Sequence, residues 1–172
     1  MKRLLLLRHA KAAPGDGRDD FERELTPSGA IDAAHMGDFL SRHDLAPDLV
    51  VYSGARRTRE TAEIVMGRLA SAVEAREDNA IYDATWRLIL ALLRRLPDEA
   101  HSVMIVGHNP GIGDIANVLA GKGEKQSRLR IAAKYPTCGL AVLEFDGPNW
   151  ANLSAQGAKM ERFVTPEDLG LR

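Results

Sequence analysis

Residues 4–11 read LLLLRHAK, and this stretch decides the fold. Four apolar residues bounded by charges are too few for a helix but suit a strand buried on both faces, as in a parallel sheet. Arg8 and His9 also end the apolar run well short of a signal peptide or a membrane span. The stretch therefore predicts a central strand covered by helices on both sides.

Further apolar runs along the chain alternate between strand and helix patterns. Residues 49–52 and 102–106 are β-rich, like the first run. Helical spacing follows each strand, with predicted helices at 27–43, around 62–69, at 86–93 and at 112–119. This alternation predicts an α/β layer fold.

Three segments give weaker signals. Residues 71–83 are ambiguous, with a short strand predicted near 72–75, and residues 140–145 and 150–153 flank a turn like a hairpin. Residues 121–134 are polar and basic, which favours a solvated mobile loop over a surface that docks an acidic partner. We expect one domain over residues 1–172.

Composition narrows the class of protein. A formal net charge of −1 leaves no basic surplus for a phosphate backbone, so we expect no nucleic-acid partner. Cys138 is the single cysteine, which excludes an internal disulfide and fits the cytoplasm. The sequence predicts no membrane span and carries no signal for an oligomeric state.

Polar residues follow three of the predicted strands where each strand ends. Arg8 and His9 follow the first, Arg57 lies just beyond the second, and His108 follows the strand at 102–106. Because the carboxyl ends of parallel strands border one crevice, we expect these side chains to converge. Guanidinium groups match phosphate oxygens, and neutral imidazole can carry a phosphoryl group. The pattern predicts a phosphate site with no carboxylate cluster for a metal.

Each histidine taken alone is as readily explained as a turn or surface residue. His35, His43 and His101 lie outside the predicted crevice and are expected at the surface. The aromatic side chains of Trp86 and Trp150 are expected to pack in the interior. Tyr82 is expected to pack as well, or to border the pocket.

Several motifs together resemble the histidine phosphatase superfamily, and most closely its SixA-like branch. The motifs are RHAK at 8–11, LTPSG at 25–29, SGARRTRETA at 53–62, GHNPG at 107–111 and PTCGLAVLEF at 136–145. The resemblance implies a three-layer α/β/α sandwich with a mostly parallel central sheet, of the phosphoglycerate mutase-like type. It also implies His9 as phosphoacceptor, Arg8 and Arg57 as phosphate ligands, His108 as the second pocket histidine, and Arg23 as a further phosphate ligand.

The sequence departs from the family pattern in two informative places. Ala10 replaces the usual glycine, and Glu24 stands where a proline is usual after the arginine at 23. Larger members also carry a glutamate general acid between the second helix and the last strand. The acidic residues in that interval lack the supporting motif; they are Glu74, Glu77, Asp78 and Asp83.

A site without its own acid should favour a leaving group that departs without an added proton, as imidazole does from phosphohistidine. We therefore expect a hydrolase that removes phosphate from phosphohistidine in a protein, with neither metal nor cofactor. A phosphatase or phosphomutase acting on a small phosphorylated substrate is the nearest alternative. A catalytically silent module that binds a phosphorylated partner is the other.

Overall fold

The structure is a computed structural model, and it describes residues 1–170. The described chain alternates strands and helices in the following order: β1 (Lys2–Arg8), α1 (Pro27–Arg42), β2 (Leu49–Tyr52), α2 (Arg56–Met66), β3 (Glu74–Glu77), α3 (Trp86–Leu93), β4 (Ser102–Gly107), α4 (Gly111–Leu119), β5 (Ala120–Gly123), α5 (Lys125–Ala133), β6 (Leu140–Phe145) and β7 (Ala158–Val164). The helices predicted at 27–43, 86–93 and 112–119 are therefore present.

The strands form one mixed sheet in the order β3-β2-β4-β1-β6-β7-β5. β1 pairs with β4 in parallel, and β2 is parallel to both β3 and β4. β6 is antiparallel to its neighbours β1 and β7. The central sheet is thus mostly parallel, with β1 in its middle.

Helices cover both faces of the sheet, and the four leucines of β1 show why. Leu4 and Leu6 pack into the cluster that contains the inner residues of α3 and α4. Leu5 and Leu7 pack into a second cluster with the inner residues of α1 and α2. Because successive strand side chains point to opposite faces, one apolar run feeds both cores. The predicted three-layer α/β/α sandwich is confirmed.

The predicted mobile loop at 121–134 is wrong. These residues form the short strand β5 and the helix α5. The side chain of Glu124 caps α5 by accepting from the backbone N–H groups of Gln126 and Ser127. Ser127 and Ile131 are the buried positions of this helix, so its apolar stripe is too narrow to stand out among basic residues.

The predicted hairpin and the predicted edge strand also need correction. Residues 150–152 form a 3-10 turn, and the antiparallel partner of β6 is β7. Trp150 is buried there and donates its indole N–H to the Ala100 carbonyl at 2.8 Å, which anchors the turn to the segment just before β4. The strand expected near 72–75 lies at Glu74–Glu77, where all four residues are exposed and no apolar pattern marks its bounds.

Across residues 1–170, every helix is too short or too polar to cross a membrane.

Candidate active site

The carboxyl ends of β1, β2 and β4 lie side by side at one end of the sheet, and both predicted pocket histidines lie there. His9 directly follows β1, and its backbone N–H donates to the Gly107 carbonyl at the end of β4. The rings of His9 and His108 have centroids 5.4 Å apart. Both residues are buried, each with 7% of its surface exposed. The topology thus brings together two imidazoles that are far apart in sequence.

The His9 ring is held in one protonation state. Its Nδ1 lies 2.7 Å from the Ala10 carbonyl, which can only accept, so Nδ1 carries the proton. Burial, more than the neighbouring charges, lowers the His9 pKa to about 3. The ring is therefore neutral near pH 7, and its Nε2 keeps a free lone pair.

His108 is oriented by two neighbours. The Arg57 guanidinium donates to Nδ1 at 3.3 Å, so Nε2 carries the proton and donates to the Ser53 hydroxyl at 2.8 Å. Burial, followed by the charge of Arg57, lowers the His108 pKa to about 4. This imidazole is also neutral near pH 7, with the opposite nitrogen protonated.

The buried Arg57 and the partly buried Arg8 border the histidines. Arg57 lies in the first turn of α2, where the helix dipole favours an anion, and Arg8 is the last residue of β1. Arg8 donates from one terminal nitrogen to the Tyr135 carbonyl at 3.0 Å. The Nε atoms of Arg8 and Arg57 are buried, and neither has a hydrogen-bond partner within the described chain. Buried charged donors without partners are costly, and an anion in the crevice would satisfy them.

The spacing Ser53, Arg57, Thr61 has a structural explanation. Ser53 accepts from His108, as above, and Thr61 links the other two parts of the site. The Ala10 N–H donates to the Thr61 hydroxyl at 3.0 Å, and that hydroxyl donates to the Arg57 carbonyl at 2.6 Å. The turn that carries His9 is thereby fixed to the helix that carries Arg57.

Sequence reasoning missed one carboxylate in the site. Asp20, in a 3-10 turn at 20–22, accepts from Arg57 NH2 at 3.0 Å and from the Tyr82 hydroxyl at 2.6 Å. The bond from Tyr82, followed by those from Arg57 and Arg23, lowers the Asp20 pKa to about 2. Tyr82, which the sequence left open as a packing or a pocket residue, also meets the His108 ring edge-on at 5.4 Å.

Arg23 lies one step away from the four clustered side chains. Its guanidinium donates to Asp20 Oδ1 and to the Ala13 carbonyl, each at 3.0 Å.

The four acidic candidates for a proton donor make no hydrogen bond or ion pair to His9, His108, Arg8 or Arg57 within residues 1–170. Glu74 begins β3 at the far edge of the sheet and pairs with Arg76, while the Asp78 carboxylate accepts from the Ala80 N–H. The described chain also contains no group of three or more His, Cys, Asp and Glu side chains placed to hold a metal.

Comparisons with known proteins agree with this geometry. Residues 4–86 match the model of the histidine phosphatase superfamily (branch 1). An uncharacterized protein of Mycobacterium tuberculosis, Rv1276c, is 32% identical over 162 residues, which cover 93% of this chain and 99% of that protein. The chain belongs to the histidine phosphatase superfamily.

Solved structures place it further within that family. A candidate phosphohistidine phosphatase SixA from Nakamurella multipartitia has a TM-score of 0.79 at 31% identity, covering 96% of both chains. Another from Agrobacterium tumefaciens has a TM-score of 0.80 at 30% identity, covering 96% of this chain and 98% of that one. The protein histidine phosphatase SixA in complex with tungstate shares the fold, with a TM-score of 0.79 at 22% identity over 97% and 99% of the two chains. The protein is therefore a phosphatase of the SixA-like branch.

Proposed function

We propose that this phosphatase removes phosphate from phosphohistidine side chains of a protein, through a phosphorylated His9 and without a metal. The observation that carries the proposal is the contact between His9 Nδ1 and the Ala10 carbonyl at 2.7 Å. This contact leaves Nε2 as the nucleophile and keeps a proton on the other nitrogen throughout the cycle.

The reaction balances around that proton. His9 Nε2 forms a bond to phosphorus, and the bond from phosphorus to the substrate imidazole breaks. Water then attacks phosphorus and the bond to Nε2 breaks; both water protons leave with the product as dihydrogen phosphate, and His9 leaves as a neutral imidazole with Nδ1 still protonated. Arg8 and Arg57 supply buried donors for the charge on the transferred group, and His108, which follows β4, borders that group.

The carboxylate in the site favours phosphoramidates over phosphate esters. Asp20 has a pKa of about 2, so it holds no proton to give near pH 7. An alcohol leaving group needs such a proton, whereas an imidazole protonated on its distal nitrogen departs neutral. The structural relatives described as candidate phosphohistidine phosphatases support the same substrate class.

Three substrates test the proposal with the purified protein: a phosphohistidine-bearing protein, p-nitrophenyl phosphate and glycerol phosphate. We expect phosphohistidine to be cleaved fastest and glycerol phosphate most slowly. The aryl ester should fall between them, because nitrophenolate leaves without an acid whereas an alcohol does not. A transient label on the enzyme that is acid-labile and alkali-stable should appear on His9. Equal turnover of glycerol phosphate and phosphohistidine would contradict the substrate preference.

The same assay with free phosphohistidine tests whether a protein is the substrate. A preference for the protein-borne group in kcat/KM is expected if surfaces beyond the pocket contribute to binding. Equal values for the free and the protein-borne group would instead favour a small-molecule phosphatase.

A further inference from the structure

Asp20 is hydrogen-bonded to Arg57, the arginine on which the proposed phosphate site depends. Its carboxylate accepts from Arg57 NH2 at 3.0 Å, and its backbone carbonyl accepts from Arg57 NH1 at 2.6 Å. Both terminal nitrogens of that guanidinium are thus engaged by one residue. NH2 also lies 3.3 Å from His108 Nδ1, so both of its N–H groups are engaged, and a phosphoryl group that binds through NH2 must compete with the Asp20 carboxylate.

The two partners differ in how firmly they are held. The Arg57 side chain is 5% exposed, whereas the Asp20 side chain is 51% exposed and lies on the connection between β1 and α1. Arg57 also forms the first turn of α2, so its backbone is fixed. On displacement the carboxylate can turn into water, whereas the arginine stays where it is.

Asp20 offers Arg57 one carboxylate oxygen and its backbone carbonyl oxygen, and these two oxygens lie where oxygens of a phosphate could bind the guanidinium. Asp20 supplies the counter-charge for the buried Arg57 guanidinium. The Tyr82 hydroxyl and the Arg23 guanidinium hold the carboxylate in this position. These contacts give Asp20 the properties of an internal stand-in for the anion.

We propose that Asp20 is a displaceable internal anion, a positioning residue that orders Arg57 before phosphate binds and weakens the binding of product phosphate by competing for Arg57 NH2. The inference rests on the proposed role of Arg57 as a phosphate ligand. It adds that the affinity of the site for phosphate is set below its maximum, which favours product release.

Calorimetric titration with inorganic phosphate tests this in the wild type, Asp20→Asn and Asp19→Asn. Removing the Asp20 charge should tighten phosphate binding by about threefold to fivefold, the upper part of the range for one partly exposed ion pair. Asp19→Asn is the matched control, because Asp19 is the neighbouring carboxylate and accepts from the Phe21 N–H, a contact that asparagine keeps. Its affinity should stay within about twofold of the wild type.

Phosphate inhibition of turnover gives a second readout. The inhibition constant should fall in Asp20→Asn, and Asp20→Ala should change it in the same direction, since both remove the charge. A residue that only supported the fold would loosen phosphate binding when replaced. Unchanged or weaker phosphate binding by both Asp20 variants would overturn the inference. Failure of the wild type and all variants to bind phosphate would overturn the proposed function itself.

Discussion

A buried cation lies at each end of the parallel strands, and the two cations have different kinds of hydrogen-bond partner. At the amino end of β1, Lys2 is 2% exposed, and its ammonium group donates to the carbonyls of Asp98 and Ala100 and lies over the Trp150 ring. At the carboxyl end of β2, Arg57 is equally buried but is paired with the half-exposed Asp20, and its Nε has no partner in the described chain.

The two sets of partners indicate a structural role for Lys2 and a binding role for Arg57. Backbone carbonyls cannot leave, so the Lys2 contacts are permanent and contribute to folding. The contact between Arg57 NH2 and the Asp20 carboxylate can be exchanged for a contact with an anion, and the buried Arg57 Nε offers a further donor. We therefore expect substitution of Lys2 to affect stability, and substitution of Arg57 to affect catalysis.

The largest effect is expected for His9→Ala. Loss of the Nε2 nucleophile should lower kcat on the order of 10³-fold or more and abolish the phosphorylated intermediate. Rapid-quench labelling and steady-state turnover measure both quantities. A His9→Ala protein that turns over at the wild-type rate would rule out the covalent mechanism.

The next test sets Arg57→Ala against Lys2→Met. Removing Arg57 should lower kcat/KM by about 10²- to 10³-fold, as expected for a lost donor to the transferred group, and change the free energy of unfolding little. Lys2→Met should lower the free energy of unfolding by about 1–3 kcal/mol, because the Asp98 carbonyl loses its buried partner, with kcat/KM within about twofold. Urea denaturation and steady-state kinetics provide the two measurements. A folded Lys2→Met protein with a large loss of activity would erase the contrast between the two ends.

The fold was largely predictable because its central strands are apolar on both faces. Four leucines in β1 and the runs at β2 and β4 leave no alternative to burial under helices. β7 was missed because Lys159, Glu161 and Arg162 interrupt its apolar residues. In such a strand the pairing partner, and not the pattern, decides the structure.

The candidate site was predictable only where a residue directly follows a strand or begins a helix. Arg57 turns inward, whereas Arg56 beside it points outward and pairs with Glu60 at 2.7 Å, as the motif spacing indicates. Asp20 lies in a loop without periodicity, eleven residues beyond His9. Its contact with Arg57 arises from tertiary packing of that loop, for which the local sequence carries no signal.

The free energy of unfolding should depend on pH through the two buried imidazoles. Their pKa values, lowered to about 3 for His9 and about 4 for His108, lie below the value of about 6.5 in the unfolded chain. The unfolded chain therefore binds more protons below pH 6.5, and stability is complete above that pH and lost as the pH falls. Between pH 7 and pH 5 we expect a loss of about 2–4 kcal/mol.

Denaturation at several pH values measures this slope, and His9→Ala provides its control. About half of the slope between pH 7 and pH 5 should disappear in that variant. Asp20 does not contribute in this window, since its pKa of about 2 lies below the unfolded value, so its share of stability is lost only below about pH 4. An unchanged slope in His9→Ala would mean that His9 is charged in the folded protein.

The smallest effect is expected for Arg23→Ala, and it separates two roles for this arginine. A direct phosphate ligand, as the family resemblance implies, should cost about 10²-fold or more in kcat/KM when removed. In the structure Arg23 instead contacts Asp20 and the Ala13 carbonyl, and its side chain is 23% exposed. A partly exposed ion pair of this kind corresponds to a loss of only about twofold to fivefold. Steady-state kinetics of Arg23→Ala beside Arg57→Ala decide between them, because a loss as large as that of Arg57→Ala requires Arg23 to turn from Asp20 to the phosphoryl group during the reaction.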